Sequence, residues 1–368
     1  MNKMNTVENN RVMVAMSGGV DSSVTGLILK QQGYQVIGGT MEIFPDYEQP
    51  SAEEGGCCSL SAIEDARQIA ASLDIPHYTF NLKDIFHNKV IDNFVSEYSR
   101  GRTPNPCVIC NNEIKFKVLL RKARQIDCDF LATGHYSRIK RVNNRYLLKR
   151  GKDKNKDQSY MLYGLTQNQL KHTLFPLGNY QKTEVRKKAQ KAGFRIYNKS
   201  DSQEICFVVD NDYTRFLDEN YPRITRKGPI LDFKGNQLGE HQGLHHYTVG
   251  QRRGLGISRP YPLYVIELDY ENNAVIVGKA EHLYSKGLIA GHVNWIVFDN
   301  LDKSREVTCK IRYNSPGKPA TISPLPDNKV KVIFTKKQRA VTPGQSVVFY
   351  QGDLVVGGGL IEKNIERV

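Results

Sequence analysis

One stretch limits what this chain can fold into more than any other: "RVMVAMSGGVDSSVTGLILKQQGYQVIGGTM", residues 11–41. Residues 11–16 form an apolar run closed off by Ser and Gly, the pattern of a strand buried on both faces. Val24, Leu27 and Ile28 then recur at helical spacing until Gly33, and "QVIGGTM" is a second strand. Strand, helix and strand within about 30 residues make a βαβ unit, whose crossover demands parallel pairing. The pattern continues with a helix "SAIEDARQIAASLDI", a strand "HYTFNL", helices near 84–98 and 113–125, and a strand "FLATGH". The front of the chain is therefore expected to be α/β, built on a parallel sheet.

After about Cys206 the character changes. Gly and Pro punctuate short β-branched runs, "PLYVIELD", "NAVIVG", "KVKVIFTK" and "QSVVFYQGDLVVGGGLIE", with "DYENN" and "QGD" where hairpin turns belong. This part reads as all-β. The expected division is an α/β domain over 1–208, a small central β-rich domain over 209–285 and a C-terminal β-barrel over 286–368, with no internal repeat.

The formal net charge is +14 in 368 residues, which favours an anionic partner, nucleic acid being the commonest; a solubility bias is the alternative. Basic residues concentrate in "RIKRVNNRYLLKRGKDKNK", "RKKAQKAGFR" and "VGQRRGLG" rather than in a low-complexity tail, so the charge belongs to folded surface. No run of about 18 apolar residues exists to span a membrane. The polar start "MNKMNTVENN" lacks the apolar core of a signal peptide and reads as a short disordered leader, giving the expectation of a cytoplasmic protein. Seven cysteines, an odd number with Cys57 and Cys58 adjacent, do not read as a disulfide framework. Cys57, Cys58, Cys128 and Cys309 receive no chemistry.

"SGGVDSS", Ser17 to Ser23, follows a strand and opens a helix. Glycines let a ligand approach the backbone, and the helix N-terminus offers N–H groups and a positive dipole end. An anion, in particular a phosphate chain, suits this loop; a tight turn with serine caps is the bland reading. No Gly-Lys-Ser/Thr follows as in a Walker A loop, and the glycines are adjacent, unlike a dinucleotide fingerprint. Asp21 would repel a phosphate unless Mg2+ bridged them. The spacing S-G-G-x-D-S resembles the pyrophosphatase loop of ATP pyrophosphatases, which implies cleavage of ATP between the α and β phosphates and adenylation of a carbonyl oxygen.

In "TPNPCVICNNEIKF" (103–116), Pro104 and Pro106 hold the chain extended up to Cys107. Asn111 or Asn112 is expected to cap a helix through "EIKFKVLLRKA", which places Cys110 just before a helix N-terminus, where a thiolate is favoured. A third thiol, Cys206, sits in "DSQEICFV". A structural zinc site needs four ligands and a second paired motif, which is missing; a dithiol redox motif and plain buried thiols are the other readings.

The segments "SGGVDSS", "GRTPNPCVICNNEIKF", "TGHY", "KDQSYML", "DSQEICFV", "YTVGQRRGLGI" and "IRYNSPG" occur in this order. Together they resemble the tRNA-specific 2-thiouridylase (MnmA) family, from residue 11 to beyond 350. The resemblance implies ATP- and Mg2+-dependent adenylation of the C2 oxygen of the wobble uridine in tRNAs for Lys, Glu and Gln, followed by replacement with sulfur. It implies an ATP site at Ala15, Met16, Ser17, Gly18, Gly19, Val20, Asp21 and Ser22, with Met41 and Gly134 at adenine or ribose. Asn105, Pro106 and Cys107 would meet the target base. His135, Lys156, Asp157, Gln158, Arg312, Tyr313 and Gln345 would contact tRNA, although His135 and Met41 suit a core equally well. Cys206 would carry a persulfide from a donor protein and Cys110 would act as its catalytic partner, with a Cys110–Cys206 disulfide closing the cycle.

One departure stands out. Many family members carry Asp where this chain has Cys107, and a thiol titrates about four to five units above a carboxyl, so it is no simple replacement. Cys107, Cys110 and Cys206 together also suit the ligand set of a [4Fe–4S] cluster with one open iron. The persulfide reading is preferred, being the usual family account.

Overall fold

The computed structural model describes residues 10–44, 60–200, 205–208 and 210–367, Leu60 and Arg367 by their backbone only. Cys57, Cys58 and the front half of "DSQEICFV" lie outside the described residues. The chain divides into two compact units: one takes the residues up to Val90, Cys107–Asn211 and Asp353–Val355, the other Ile91–Pro106, Asp212–Gly352 and Val356 onward.

The first unit is built on strands β1 (Arg11–Ala15), β2 (Gln35–Glu42), β3 (His77–Asn81), β4 (Phe130–Ala132) and, after the hairpin β5 (Ser137–Val142)–β6 (Arg145–Arg150), β7 (Thr173–Leu174). The five-stranded sheet has the order β3-β2-β1-β4-β7, with every pairing parallel. Val12, Met13 and Val14 of β1 are fully buried, as expected for a central parallel strand covered on both faces. Helix α1 (Val20–Gln31) lays Val24 and Ile28 into the core with Ala66 and Ile69 of α2 (Leu60–Ser72). Val24, Ile28 and Ile69 each contribute about 1.5–3 kcal/mol by burial. Because β2 adds on one side of β1 and β4 on the other, the chain reverses its winding between β1 and β4. In open parallel sheets the crevice at the carboxyl ends of such strands is where ligands bind. The β5–β6 hairpin was not anticipated: its residues read as a basic surface cluster, yet Asn143 in the left-handed region makes the turn.

The second unit carries β8 (Gly228–Leu231), β9 (Gln237–His241), β10 (Tyr264–Asp269) and β11 (Ala274–Gly278) in a sheet ordered β10-β11-β8-β9 around Ile230, Val265, Val275 and Val277. The expectation of an all-β region needs one correction, the helix Tyr213–Asn220. Asp212 caps it, accepting hydrogen bonds from the Thr214 and Arg215 amides. The remaining strands, β12 (Tyr284–Trp295), β13 (Arg305–Lys310), β14 (Lys318–Leu325), β15 (Lys329–Arg339), β16 (Ser346–Gln351) and β17 (Leu354–Arg367), follow the order β12-β15-β14-β13-β16-β17. Pairing of β12 with β17 closes them into a six-stranded barrel. Closure removes the sheet edges that would otherwise invite association. Among the described residues, no helix is long and apolar enough to cross a membrane.

Candidate active site

The glycine loop runs from the end of β1 to α1. Gly19 is the N-cap, extended at φ −101° and ψ 162°, and no side chain caps the helix. The amides of the first turn are thus left to a ligand, with the dipole favouring an anion. The hydroxyls serve the loop itself rather than the ligand: Ser22 Oγ and Ser23 Oγ donate to the Gly19 carbonyl at 3.1 and 2.9 Å, and Thr25 Oγ1 donates to the Asp21 carbonyl. Gly18 has φ +63°, and a Cβ there would lie 2.4 Å from the Ala62 oxygen, so only glycine fits.

Asp21 is not bare. Lys182 Nζ donates to both of its oxygens at 2.8 Å, and Tyr136 Oη donates to Oδ1 at 2.8 Å. Lys182 is buried, at 8% exposure. The loop 151–159 supports both partners: Asp153 Oδ2 accepts the Lys182 amide at 2.9 Å, and Gln158 Oε1 accepts the Tyr136 amide at 2.9 Å. Asp157 accepts from the Gly151 and Ser159 amides and from Ser159 Oγ. Asp157 and Gln158 therefore shape this loop from within, whereas Lys156 is half-buried. The charge that sequence reasoning asked Mg2+ to neutralise at Asp21 is already met by the Lys182 ammonium. A carboxylate so engaged is a poor ligand for a resident ion.

Gly134, just past β4, closes the crevice from the other side. A Cβ there would meet Asp21 Cβ at 2.8 Å and the Ser22 amide at 3.0 Å. Met41 lies within β2, 7% exposed near the strand's carboxyl end. His135 is buried, with Nδ1 at 2.7 Å from Thr133 Oγ1 and its ring 5.9 Å from both Phe116 and Phe175. Burial, reinforced by Lys115, holds its pKa well below the ordinary histidine value. A neutral, packed imidazole is an element of the core that supports the crevice.

The thiol segment departs from expectation. The helix begins at Pro106, not after Cys110: Pro106–Ile109 is α-helical, Cys110–Leu119 continues as a wide π-helix and Leu120–Gln125 returns to α. Proline suits a first helical position, because its missing N–H would have had no intrahelical partner there. Cys107 therefore occupies the first turn, exposed, and Cys110 begins the π segment, half-buried. Asn111 is a buried tether whose Nδ2 donates to the Met161 carbonyl at 3.2 Å, not a cap. Cys206 sits half-buried in a turn that Phe207 pins edge-on against Phe86 at 5.9 Å, and the helix Lys83–Phe86 packs against the π-helix. The five described cysteines form no disulfide, so the expected Cys110–Cys206 link is not made in this structure. Burial pushes the Cys128 thiol up to about 11 and that of Cys309 far above the reactive range, so both are inert.

In the second unit the polar candidates hold backbone. Gln345 Nε2 donates to the Thr103 carbonyl at 3.0 Å and to that of Pro104 at 3.4 Å, while the Thr103 amide donates to the Pro343 carbonyl. These bonds fix the chain ahead of Asn105 and Pro106. Arg312 Nη2 donates to the carbonyls of Val249 and Ala340 and, at 2.7 Å, to Thr342 Oγ1. The Tyr313 ring lies under Lys310 at 5.7 Å. "HHYTVGQRRGLG" is a loop opened by a 3-10 turn at Leu244–His246.

Comparison with known proteins agrees with this geometry. A family model described as a tRNA methyl transferase HUP domain matches residues 10–210; models for the PRC-barrel domain of tRNA methyl transferase and an aminomethyltransferase beta-barrel domain match 214–279 and 285–361. The tRNA-specific 2-thiouridylase MnmA of Halothermothrix orenii is 66% identical over 96% of this chain and 99% of its own length. Its counterparts from Clostridium beijerinckii and Acetivibrio thermocellus are 52% and 54% identical over the same shares. The chain belongs to the MnmA family.

For a member of this family, the residue that sequence reasoning missed is Lys182. The signal was available: Gln181 and Glu184 form a capping box, which puts Lys182 in the first turn of the helix Lys182–Lys191. A cation opposes the dipole there and needs an anionic partner. That the partner is Asp21, 161 residues earlier, is visible only in three dimensions.

Proposed function

We propose that this protein is a tRNA 2-thiouridylase that activates the C2 oxygen of wobble uridine 34, in tRNAs for Lys, Glu and Gln, with ATP and replaces it by sulfur. The observation that carries the reading is the glycine loop, with its Lys182–Asp21–Tyr136 network, set at the β1/β4 crevice of a chain 66% identical to a 2-thiouridylase. In this reading Ala15–Ser22 bind the nucleotide's phosphates through backbone amides, with Met41 and Gly134 beside adenine and ribose. Mg2+, carried on those phosphates, would offset charge as pyrophosphate leaves.

Two displacements follow. The uridine C2 oxygen attacks the α-phosphorus and pyrophosphate departs, converting a poor leaving group into AMP. A persulfide on Cys206, loaded by a donor protein, then delivers its outer sulfur to C2, and AMP leaves with the old oxygen. Attack by the Cys110 thiolate on the Cys206 sulfur releases the delivered atom as the thiocarbonyl and leaves a Cys110–Cys206 disulfide, which an external dithiol must reduce. Asn105, Pro106 and Cys107 are assigned to the base. Lys156, Asp157, Gln158, His135, Arg312, Tyr313 and Gln345 form or brace the tRNA-binding surfaces, with 1–208 catalytic, 209–285 and 286–368 gripping tRNA, all in the cytoplasm.

A [4Fe–4S] cluster on Cys107, Cys110 and Cys206 is the second reading, favoured by the thiol at position 107, and would supply an open iron for sulfide. The test is mass analysis of the wobble base after incubation with ATP, Mg2+, cognate tRNA and either a persulfide donor or inorganic sulfide, with iron measured on anaerobic protein. An unchanged base under every condition refutes the function. Activity from a persulfide without iron supports the cysteine pair; about four irons per chain, lost with activity in Cys107→Ser, supports the cluster.

A further inference from the structure

Asp218, on the helix Tyr213–Asn220, faces two consecutive histidines of the turn Leu244–His246. His245 Nε2 lies 2.8 Å from Asp218 Oδ1 and His246 Nε2 lies 3.1 Å from Oδ2. Among the described residues this is the sole group of three His, Cys, Asp or Glu whose ligand atoms all fall within 4.8 Å of one another. We propose that Asp218, His245 and His246 form a binding site for one divalent transition-metal ion of the Zn2+ class, a property beyond the thiolation reaction.

Hydrogen bonding accounts for only part of the cluster. Oδ1 is served by His245 Nε2 and by Thr225 Oγ1 at 2.7 Å. His246 Nε2, close to Oδ2 as it is, makes no hydrogen bond, and the atom is sealed from solvent. A buried imidazole nitrogen beside a carboxylate but not aimed at it has the geometry of a ligand directed at a third point. With metal–ligand bonds of ~2.0–2.2 Å, edges of 2.8 and 3.1 Å subtend roughly right angles, within reach of a four- or five-coordinate ion.

The donors choose the metal. Two imidazoles and one carboxylate suit Zn2+ and its neighbours, whereas Mg2+ and Ca2+ want oxygen throughout. Each histidine would coordinate through the Nε2 lone pair, its proton residing on Nδ1. Thr225 is placed to orient the carboxylate, as outer partners of metal ligands do. His245 is 1% exposed, while Asp218 and His246 are 35% and 29% exposed. Binding would tie the helix to the turn two residues ahead of Thr248, whose hydroxyl lies 3.4 Å from that of Thr103.

Thiols elsewhere also bind Zn2+, so the probe must separate sulfur from nitrogen ligands. Co2+ is titrated anaerobically into the full-length protein with its accessible thiols alkylated. We expect one equivalent of visible d–d absorption without thiolate charge-transfer bands, and at least tenfold weaker binding in Asp218→Asn and in His246→Gln. Zn2+ should raise the melting temperature of the parent and not of either variant. If Asp218→Asn folds poorly, the half-exposed His246→Gln carries the measurement alone, with its fold checked by circular dichroism. Absence of d–d bands in the parent overturns the site, as does undiminished binding in His246→Gln.

Discussion

The glycine loop of the first unit and the Thr342–Gln345 turn of the second are both rich in polar side chains, and they use them differently. In the loop, Ser22, Ser23 and Thr25 turn their hydroxyls back onto local carbonyls, leaving the helix-terminal amides for a ligand. Around the turn, Gln345 donates to the carbonyls of Thr103 and Pro104, and Arg312 donates to those of Val249 and Ala340. One region uses side chains to expose backbone, the other to bind it. The lesson is that a polar residue recognised by motif belongs to the ligand only if no nearby backbone or partner claims it, since a satisfied donor contributes about 1 kcal/mol to the fold and little to a substrate.

The largest effect that would break this contrast lies with the thiols. Cys110→Ser and Cys206→Ser should each reduce thiolation to background while tRNA affinity stays at the parent value; measurable turnover in either would remove that cysteine from the reaction. Next comes the loop's carboxylate. Lys182→Met leaves Asp21 with a partly buried charge, and we expect pyrophosphate release to fall about 100–1,000-fold, as when a preorganised electrostatic partner is lost. Stability should fall by at most about 3–5 kcal/mol. Asp21→Ala should also block AMP formation, but Lys182→Met with normal AMP release would reduce the pair to scaffolding.

A smaller effect separates the two uses of Arg312. As a backbone clamp, Arg312→Gln should cost about 1–3 kcal/mol in denaturant unfolding and leave the salt dependence of tRNA binding unchanged. As a phosphate contact, it would instead lower the slope of log affinity against log salt by about one unit with stability intact. The smallest effect is on pH. Unfolded His135 takes up a proton below its ordinary pKa of 6.5, whereas the buried ring does not, so acidification from pH 7 to 5 favours the unfolded chain. His135→Gln should flatten that loss, while His241 and His245, depressed mainly by burial, keep part of it. An identical pH slope in the variant would mean His135 is protonated in the fold.

Much of the α/β half was legible because apolar period and glycine punctuation are local properties: β1, α1 and β2 lie where residues 11–41 place them. The thiol helix was misplaced because Asn111 looks like a cap, whereas Pro106 had already set a helical φ one turn earlier. The hairpin β5–β6 was hidden by its charge, and the helix Tyr213–Asn220 by the short strands that follow it. The glycine loop was found by motif, but its electrostatics were assigned to Mg2+ because the sequence shows no cation beside Asp21.

The sequence by itself determined the family, the α/β-then-β order and the chemistry available: a glycine loop suited to an anion and three thiols, Cys107 and Cys110 in the middle of the α/β half and Cys206 at its end. Those depend on residue type and short spacing. Only the tertiary structure decided which groups meet, because partners such as Asp21 and Lys182, Gln345 and Thr103, or Asp218 and His246 are separated along the chain and joined by packing alone. It is the burial created by that packing that turns a lysine into a counter-ion, a histidine into core and a pair of imidazoles into a candidate ligand set.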